Sequence, residues 1–156
     1  MIDPVVVVVV LNTTRAAAFD AFVARINNWW PVQSFSIACG TVSIEPKLNG
    51  RIIETAEDGA KHQWGHITVW DVPNHLSISW YVGENTVATE ITVDFATTDD
   101  GRTGVTLVHS GWDALGETGV AKRESYHGGW TAIFGKSFAE HARATCPPLI
   151  ESTSHD

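Results

Sequence analysis

Residues 75–82, His75-Leu76-Ser77-Ile78-Ser79-Trp80-Tyr81-Val82, and residues 87–95, Val87-Ala88-Thr89-Glu90-Ile91-Thr92-Val93-Asp94-Phe95, alternate apolar and polar side chains on either side of a Gly83-Glu84-Asn85 turn. Successive side chains of a strand point to opposite faces, so Leu76, Ile78, Trp80 and Val82 form one face against His75, Ser77, Ser79 and Tyr81. On the second strand Val87, Thr89, Ile91, Val93 and Phe95 oppose Ala88, Glu90, Thr92 and Asp94. One dry and one wet face predict an antiparallel sheet that covers a core on one side. Further turn signals lie at Leu48-Asn49-Gly50, Glu57-Asp58-Gly59, Val72-Pro73-Asn74 and Asp99-Asp100-Gly101. Their spacing divides Ile37 to Trp112 into a meander of six strands.

The flanks supply one more strand and the helices. Val5–Leu11 is β-branched and too short for an ordinary helix, and reads as a buried strand. Thr13 or Thr14 caps the next segment, where Phe19, Phe22, Val23 and Ile26 recur at helical spacing. Asn27-Asn28 weakens that helix and Pro31 closes it, with Trp29 and Trp30 at its exit. From Glu117 to Thr145 a long helix carries Tyr126, Trp130, Ile133, Phe134, Phe138 and His141 on one side. Gly128-Gly129 and Gly135 each cost about 1 kcal/mol relative to Ala there, which predicts a bend or a close backbone approach beside Trp130. Pro147-Pro148 ends the helix. Residues 1–150 form a single α+β domain, one N-terminal strand and the meander wrapped around the C-terminal helix, and 151–156 form a flexible tail.

Composition narrows the function. Of 156 residues, 44% are hydrophobic and 18% charged, which allows a packed core and argues against disorder. The net charge of −8, with no basic run, argues against nucleic acid or an anionic membrane as partner. Val5–Leu11 follows Asp3 and Pro4 rather than a basic region, and is far short of the roughly 20 residues that span a bilayer. Two cysteines, Cys39 and Cys146, make no disulfide framework, and a cytoplasmic location is the expectation. Seven tryptophans either fill a core or line a hole.

Four motifs together resemble one family: Glu45-Pro46-Lys47-Leu48-Asn49-Gly50-Arg51; Trp64-Gly65-His66-Ile67-Thr68-Val69-Trp70-Asp71-Val72-Pro73 with Leu76-Ser77-Ile78-Ser79-Trp80; Leu107-Val108-His109-Ser110-Gly111-Trp112; and Tyr126-His127-Gly128-Gly129-Trp130. The chain is similar, over nearly its whole length, to the bacterial branch of the heat-shock ATPase activator-like proteins within the SRPBCC (START-like, helix-grip) superfamily. That resemblance implies a curved sheet of seven strands gripping the C-terminal helix, with one or two short helices after the first strand and an apolar cavity between sheet and helix. It specifies function poorly, because the superfamily hosts lipid carriers, polyketide cyclases and hormone receptors. The family often has apolar residues at the positions of both Ile67 and Trp70. These have opposite parity, so either a bulge near Thr68-Val69 turns both inward, the reading favoured here, or Trp70 lies with Trp64 and His66 on the outer face.

The chemistry-bearing residues are few. His62 and His66 have the spacing of a zinc-protease helix, but Gln63 stands where the general base belongs. On a strand the two lie about 13 Å apart, too far to share one metal; neither a metal nor a cofactor is expected. His109 shares parity with Val105 and Leu107 and points inward, either as a structural imidazole bonded to buried backbone or to Tyr126, or as the group that orients a ligand or moves a proton. Trp80, Trp112, Trp130 and Phe134, with Trp30 as a lid, are either core filling or an aromatic ligand wall. No nucleophile elbow surrounds Ser110, Cys39 has no basic neighbour in sequence, and Glu54, Glu90 and Asp94 read as solvated carboxylates. No glycine-rich phosphate loop follows a strand.

The expected function is a binding module, monomeric or homodimeric, that holds a small apolar or aromatic ligand among Trp30, Ile67, Trp70, Trp80, Ile91, His109, Trp112, Tyr126, Trp130 and Phe134. A second reading is a cyclase or dehydratase acting on a polyketide-like substrate through His109 or Tyr126. A third, implied by the resemblance alone, is assistance to a heat-shock ATPase.

Overall fold

The computed structural model describes residues 1–82 and 87–149. The turn expected at Gly83-Glu84-Asn85 and the tail expected at 151–156 lie outside the described residues. Strand β1 (Val5–Leu11) is followed by helices α1 (Arg15–Val23) and α2 (Ile26–Trp29). Six strands follow: β2 (Thr41–Ile44), β3 (Arg51–Thr55), β4 (Lys61–Asp71), β5 (His75–Trp80), β6 (Thr89–Thr97) and β7 (Thr103–Ser110). They form one antiparallel sheet in the order β1-β7-β6-β5-β4-β3-β2. A 3-10 segment, Trp112–Thr118, leads into α3 (Gly119–Ala132), a π-helical turn (Ile133–Phe138) and α4 (Ala139–Thr145). The sheet curls around this long helix in the helix-grip α+β arrangement.

Local chemistry explains the helix boundaries. Thr14, not Thr13, caps α1, its hydroxyl accepting the Ala17 N–H at 3.1 Å. The expected single helix through Ile26 breaks at Arg25 (φ −111°, ψ 22°), so Ile26 starts a separate turn. Ile26 still buries, as Phe19, Phe22 and Val23 do, with α1 lying against β6 and α2 against β2 and the π-helical turn. The C-terminal helix starts at Gly119 rather than Glu117, since Gly116 (φ 63°, ψ −131°) interrupts the preceding turn. The expected irregularity beside Trp130 is the π turn around Gly135, where an added Cβ would sit 3.4 Å from Val7 Cγ1. Its wider winding holds Phe134 and Phe138 in a near-parallel stack at 5.1 Å, facing Phe22.

Two bulges in β4 decide what the sheet presents to the helix. Between β4 and β5 the register shifts between Ile67 and Val69, leaving Thr68 as the extra residue. Ile67 is therefore buried while Trp70 packs edge-on against Phe19 at 5.2 Å. A second shift, between Ile52 and Ile53 of β3, leaves Trp64 unpaired in register. This corrects the sequence reading, which placed Trp64 with His66 outside: Trp64 is 1% exposed and packs against Trp30 and Trp80. Val87 is also corrected, being 39% exposed and outside β6. Glu54 is no solvated carboxylate either, at 0% exposure.

Candidate functional site

An open cleft of about 290 Å³ lies between one face of α3 from Lys122 to Trp130 with the adjoining Ile133, the sheet at Trp64 of β4 and at the end of β5 from Trp80 to Val82, and the segment after α2. From the sequence-derived set, Trp30, Trp80, Tyr126 and Trp130 line it. The sequence reading missed Ser34, Phe35, Ser36 and Ile37 on the loop wall, Trp64 and Val82 on the sheet wall, and Lys122, Ser125, Gly129 and Ile133 on the helix. The volume falls just below the roughly 300–1,000 Å³ typical of ligand pockets, so the cleft is small for a ligand site. Deeper in, the indoles interlock: Trp30 stands 5.1 Å from Trp64, 6.2 Å from Trp80 and 5.7 Å from Trp130. Free space is thus at the mouth of the grip rather than at its centre. Ile67, Ile91 and Phe134 belong to the packed core, and Trp70 to the far end beside Phe19. Trp112 borders a much smaller space of about 30 Å³ that shares Trp80 and Tyr126 with the cleft.

The loop wall is anchored by Glu54 from β3. One carboxylate oxygen accepts the Ile37 N–H at 2.8 Å, and the other accepts Ala38 and Gly40 at 2.9 and 2.8 Å. Burial alone would raise its pKa, but these backbone donors outweigh it and hold the carboxyl below its ordinary range. A buried anion held by backbone N–H groups thus fixes the turn that carries Ser36 and Ile37. Ser36 accepts the Cys39 N–H at 2.8 Å and donates to Val32 O at 2.6 Å, while Trp30 Nε1 donates to Phe35 O at 2.7 Å.

His109 lies behind the cleft, not in its lining. Its ring is 0% exposed, 4.2 Å from Trp112 and 4.8 Å from Tyr126. Trp130 Nε1 donates to its Nδ1 at 2.9 Å, and an indole nitrogen can only donate. The proton of the neutral ring is therefore on Nε2, which donates to Thr89 Oγ1 at 2.7 Å, and Thr89 passes its own proton toward Trp80 O at 3.4 Å. Both nitrogens are used, and burial drives the pKa down to about 3. This arrangement locks α3 to β6 and β7; the imidazole has no lone pair left for a substrate. Tyr126 is closer to the open space: Trp80 Nε1 donates to its Oη at 3.0 Å, leaving the phenol proton to be given elsewhere, and burial raises its pKa.

On the outer face, strand register assembles a set that the sequence reading did not connect. His75 Nδ1 is 2.6 Å from Asp94 and its Nε2 is 2.8 Å from Ser77 Oγ. Ser77 is 3% exposed and its hydroxyl holds His75 of its own strand, while the His75–Asp94 contact joins β5 to β6. His66 pairs with Tyr81 at 2.9 Å on the same face. Among the described residues no group of three or more His, Cys, Asp or Glu is placed to hold a metal ion, and no helix is long and apolar enough to cross a membrane.

With the site's geometry in view, comparison with known proteins places the fold. Residues 12–143 match the model of the family described as Activator of Hsp90 ATPase homolog 1-like protein. The chain belongs to that family. No curated protein gives a significant match. Among solved structures it is similar to CalC from Micromonospora echinospora, described as a self-sacrificing resistance protein, at 27% identity and TM-score 0.70, covering 92% of this chain and 96% of that one. It is similar also to Txn09, described as an anthrahydroquino-gamma-pyrone synthase, at 28% identity and TM-score 0.57, over 89% and 96% of the two chains. A likeness to protein MLL2253 from Mesorhizobium loti, at 15% identity and TM-score 0.68 over 92% and 99%, concerns the fold alone. These similar structures share the fold while their described roles diverge.

Proposed function

We propose that the chain is a binding protein for a flat aromatic small molecule, taken up at the mouth of the helix grip. The observation that carries this is the lining of the cleft: four indoles, Tyr126 and Phe35 converge on one open space with a few polar groups at its rim. Stacking against rings that already pack at 5–6 Å favours a planar guest over a branched aliphatic one. The 27% and 28% identical proteins, a resistance protein and a pyrone synthase, support a small-molecule role. A location in the cytoplasm and a small-molecule partner belong to this proposal, as does the absence of nucleic acid or membrane as a partner.

Titration with planar aromatic anions tests it. Binding quenches the fluorescence of the Trp30–Trp64–Trp80–Trp130 group and raises the melting temperature, whereas a response absent across a panel of two-, three- and four-ring compounds contradicts the reading. A second reading, a cyclase-like enzyme, has one observation in its favour: the Tyr126 phenol borders the cleft with its proton uncommitted. It predicts turnover that Tyr126→Phe abolishes while leaving affinity intact. His109 is not the proton carrier in either case.

A further inference from the structure

Six of the seven indoles are buried, and each carries an N–H that can donate but not accept. Five have a protein acceptor. Trp29 donates to Ala21 O, Trp30 to Phe35 O, Trp80 to Tyr126 Oη, Trp112 to His109 O and Trp130 to His109 Nδ1, all between 2.7 and 3.0 Å. Trp64 is the exception. Its Nε1 is buried and has no hydrogen-bond partner. Leaving such a donor unpaired costs about 1–3 kcal/mol, and a structure that satisfies its other buried indoles gives that exception weight. The bulge in β4 is what turns this ring inward, onto the wall of the cleft.

The polar groups around the same space are of one kind. Lys122 is an obligate donor, the Tyr126 phenol has its proton to give, and Ser34 and Ser125 offer hydroxyls. A guest that satisfies them carries acceptor oxygens. We propose that Trp64 Nε1 is the anchoring donor of the cleft, reserved for a ring carbonyl or phenolic oxygen of a planar polycyclic ligand, with Lys122 facing an acidic group at the rim. This rests on the binding role proposed above and names the chemistry of its guest. Because the atom is closed off from solvent in the unliganded arrangement, the oxygen reaches it as the neighbouring rings, Trp30 at 5.1 Å and Trp80 at 5.9 Å, shift apart. The unpaired donor favours that shift.

The test compares two probes of the same shape and charge, anthraquinone-2-sulfonate and anthracene-2-sulfonate, by fluorescence titration and by proton–nitrogen correlation spectra of the indole groups. The Trp64 signal is the one lost in Trp64→Phe. The quinone binds about tenfold more tightly, as one hydrogen bond to an otherwise unpaired donor predicts, and moves the Trp64 N–H downfield while anthracene-2-sulfonate does not. In Trp64→Phe the preference disappears. Equal affinities with a stationary Trp64 signal overturn this assignment and leave the binding role intact; failure of both probes to bind overturns both. Should the variant not fold, the Trp64 N–H is assigned in the unaltered chain from its proton contacts to Trp30 and Trp80, and whether it moves with the quinone and not with anthracene-2-sulfonate decides.

Discussion

Between pH 7 and pH 5 His109 takes a proton in the unfolded chain and not in the folded one, and stability changes accordingly. The folded pKa of about 3 lies below the ordinary 6.5, so above 6.5 neither state takes the proton and the full stability is present. Below 6.5 the unfolded chain protonates and the folded one does not, and stability falls until the pH approaches 3. The slope is about 1.4 kcal/mol per pH unit, which gives about 2 kcal/mol at pH 5. Urea unfolding of the unaltered chain and of His109→Gln at the two pH values isolates this contribution. The Gln side chain keeps an acceptor for Trp130 and a donor for Thr89 but does not titrate. His141, whose pKa is also lowered by burial and by Arg25, is present in both chains and cancels. The expected result is that the unaltered chain loses about 2 kcal/mol more than the variant on going to pH 5. Equal losses refute the neutral, fully bonded imidazole and restore His109 as a candidate for chemistry.

Two other substitutions probe how the cleft is built. In Glu54→Gln one arm of the side chain becomes a donor facing donors, so at least one of the Ile37, Ala38 and Gly40 amides loses its acceptor. The fold weakens by about 2 kcal/mol and hydrogen exchange at those amides accelerates, while unchanged exchange would show that Glu54 does not hold the loop. Since the folded pKa is lowered, the Glu54 contribution is present above the ordinary carboxyl range and is lost as pH falls through the folded value. Gly65→Ala places a Cβ 2.3 Å from the Ser79 carbonyl oxygen, a backbone atom that cannot swing away, and is expected to cost about 3 kcal/mol in denaturant unfolding. A loss under 1 kcal/mol would mean that β4 and β5 separate more easily than their register implies.

The sheet was legible because its signal is local. Alternation in β5 and β6 and the turn residues between strands specify a meander without knowledge of distant contacts. The Thr68 bulge was favoured only through the resemblance, which puts apolar residues at the positions of both Ile67 and Trp70; alternation alone left Trp70 open to the outer face. Trp64 was not legible: its bulge arises from pairing with β3, and nothing near residue 64 marks the extra residue. The same holds for Glu54, whose partners lie 14–17 positions away on a loop with no periodicity. The cleft inherits both gaps, because its sheet wall depends on the one and its loop wall on the other. The aromatic residues at helical and strand spacing were found, but whether an indole lines a space or fills it depends on the rings opposite. Here Trp30 occupies the centre that the resemblance leaves as a cavity.

The most direct test of an aromatic guest at the mouth of the grip is the set of intermolecular proton contacts between anthraquinone-2-sulfonate and the isotope-labelled chain. A guest seated there gives contacts from its ring protons to Phe35, Ile37, Gly129 and the indoles of Trp30 and Trp64. Contacts confined to the exposed face of β1, at Val6 and Val8, or no contacts at saturating ligand, would contradict that seating.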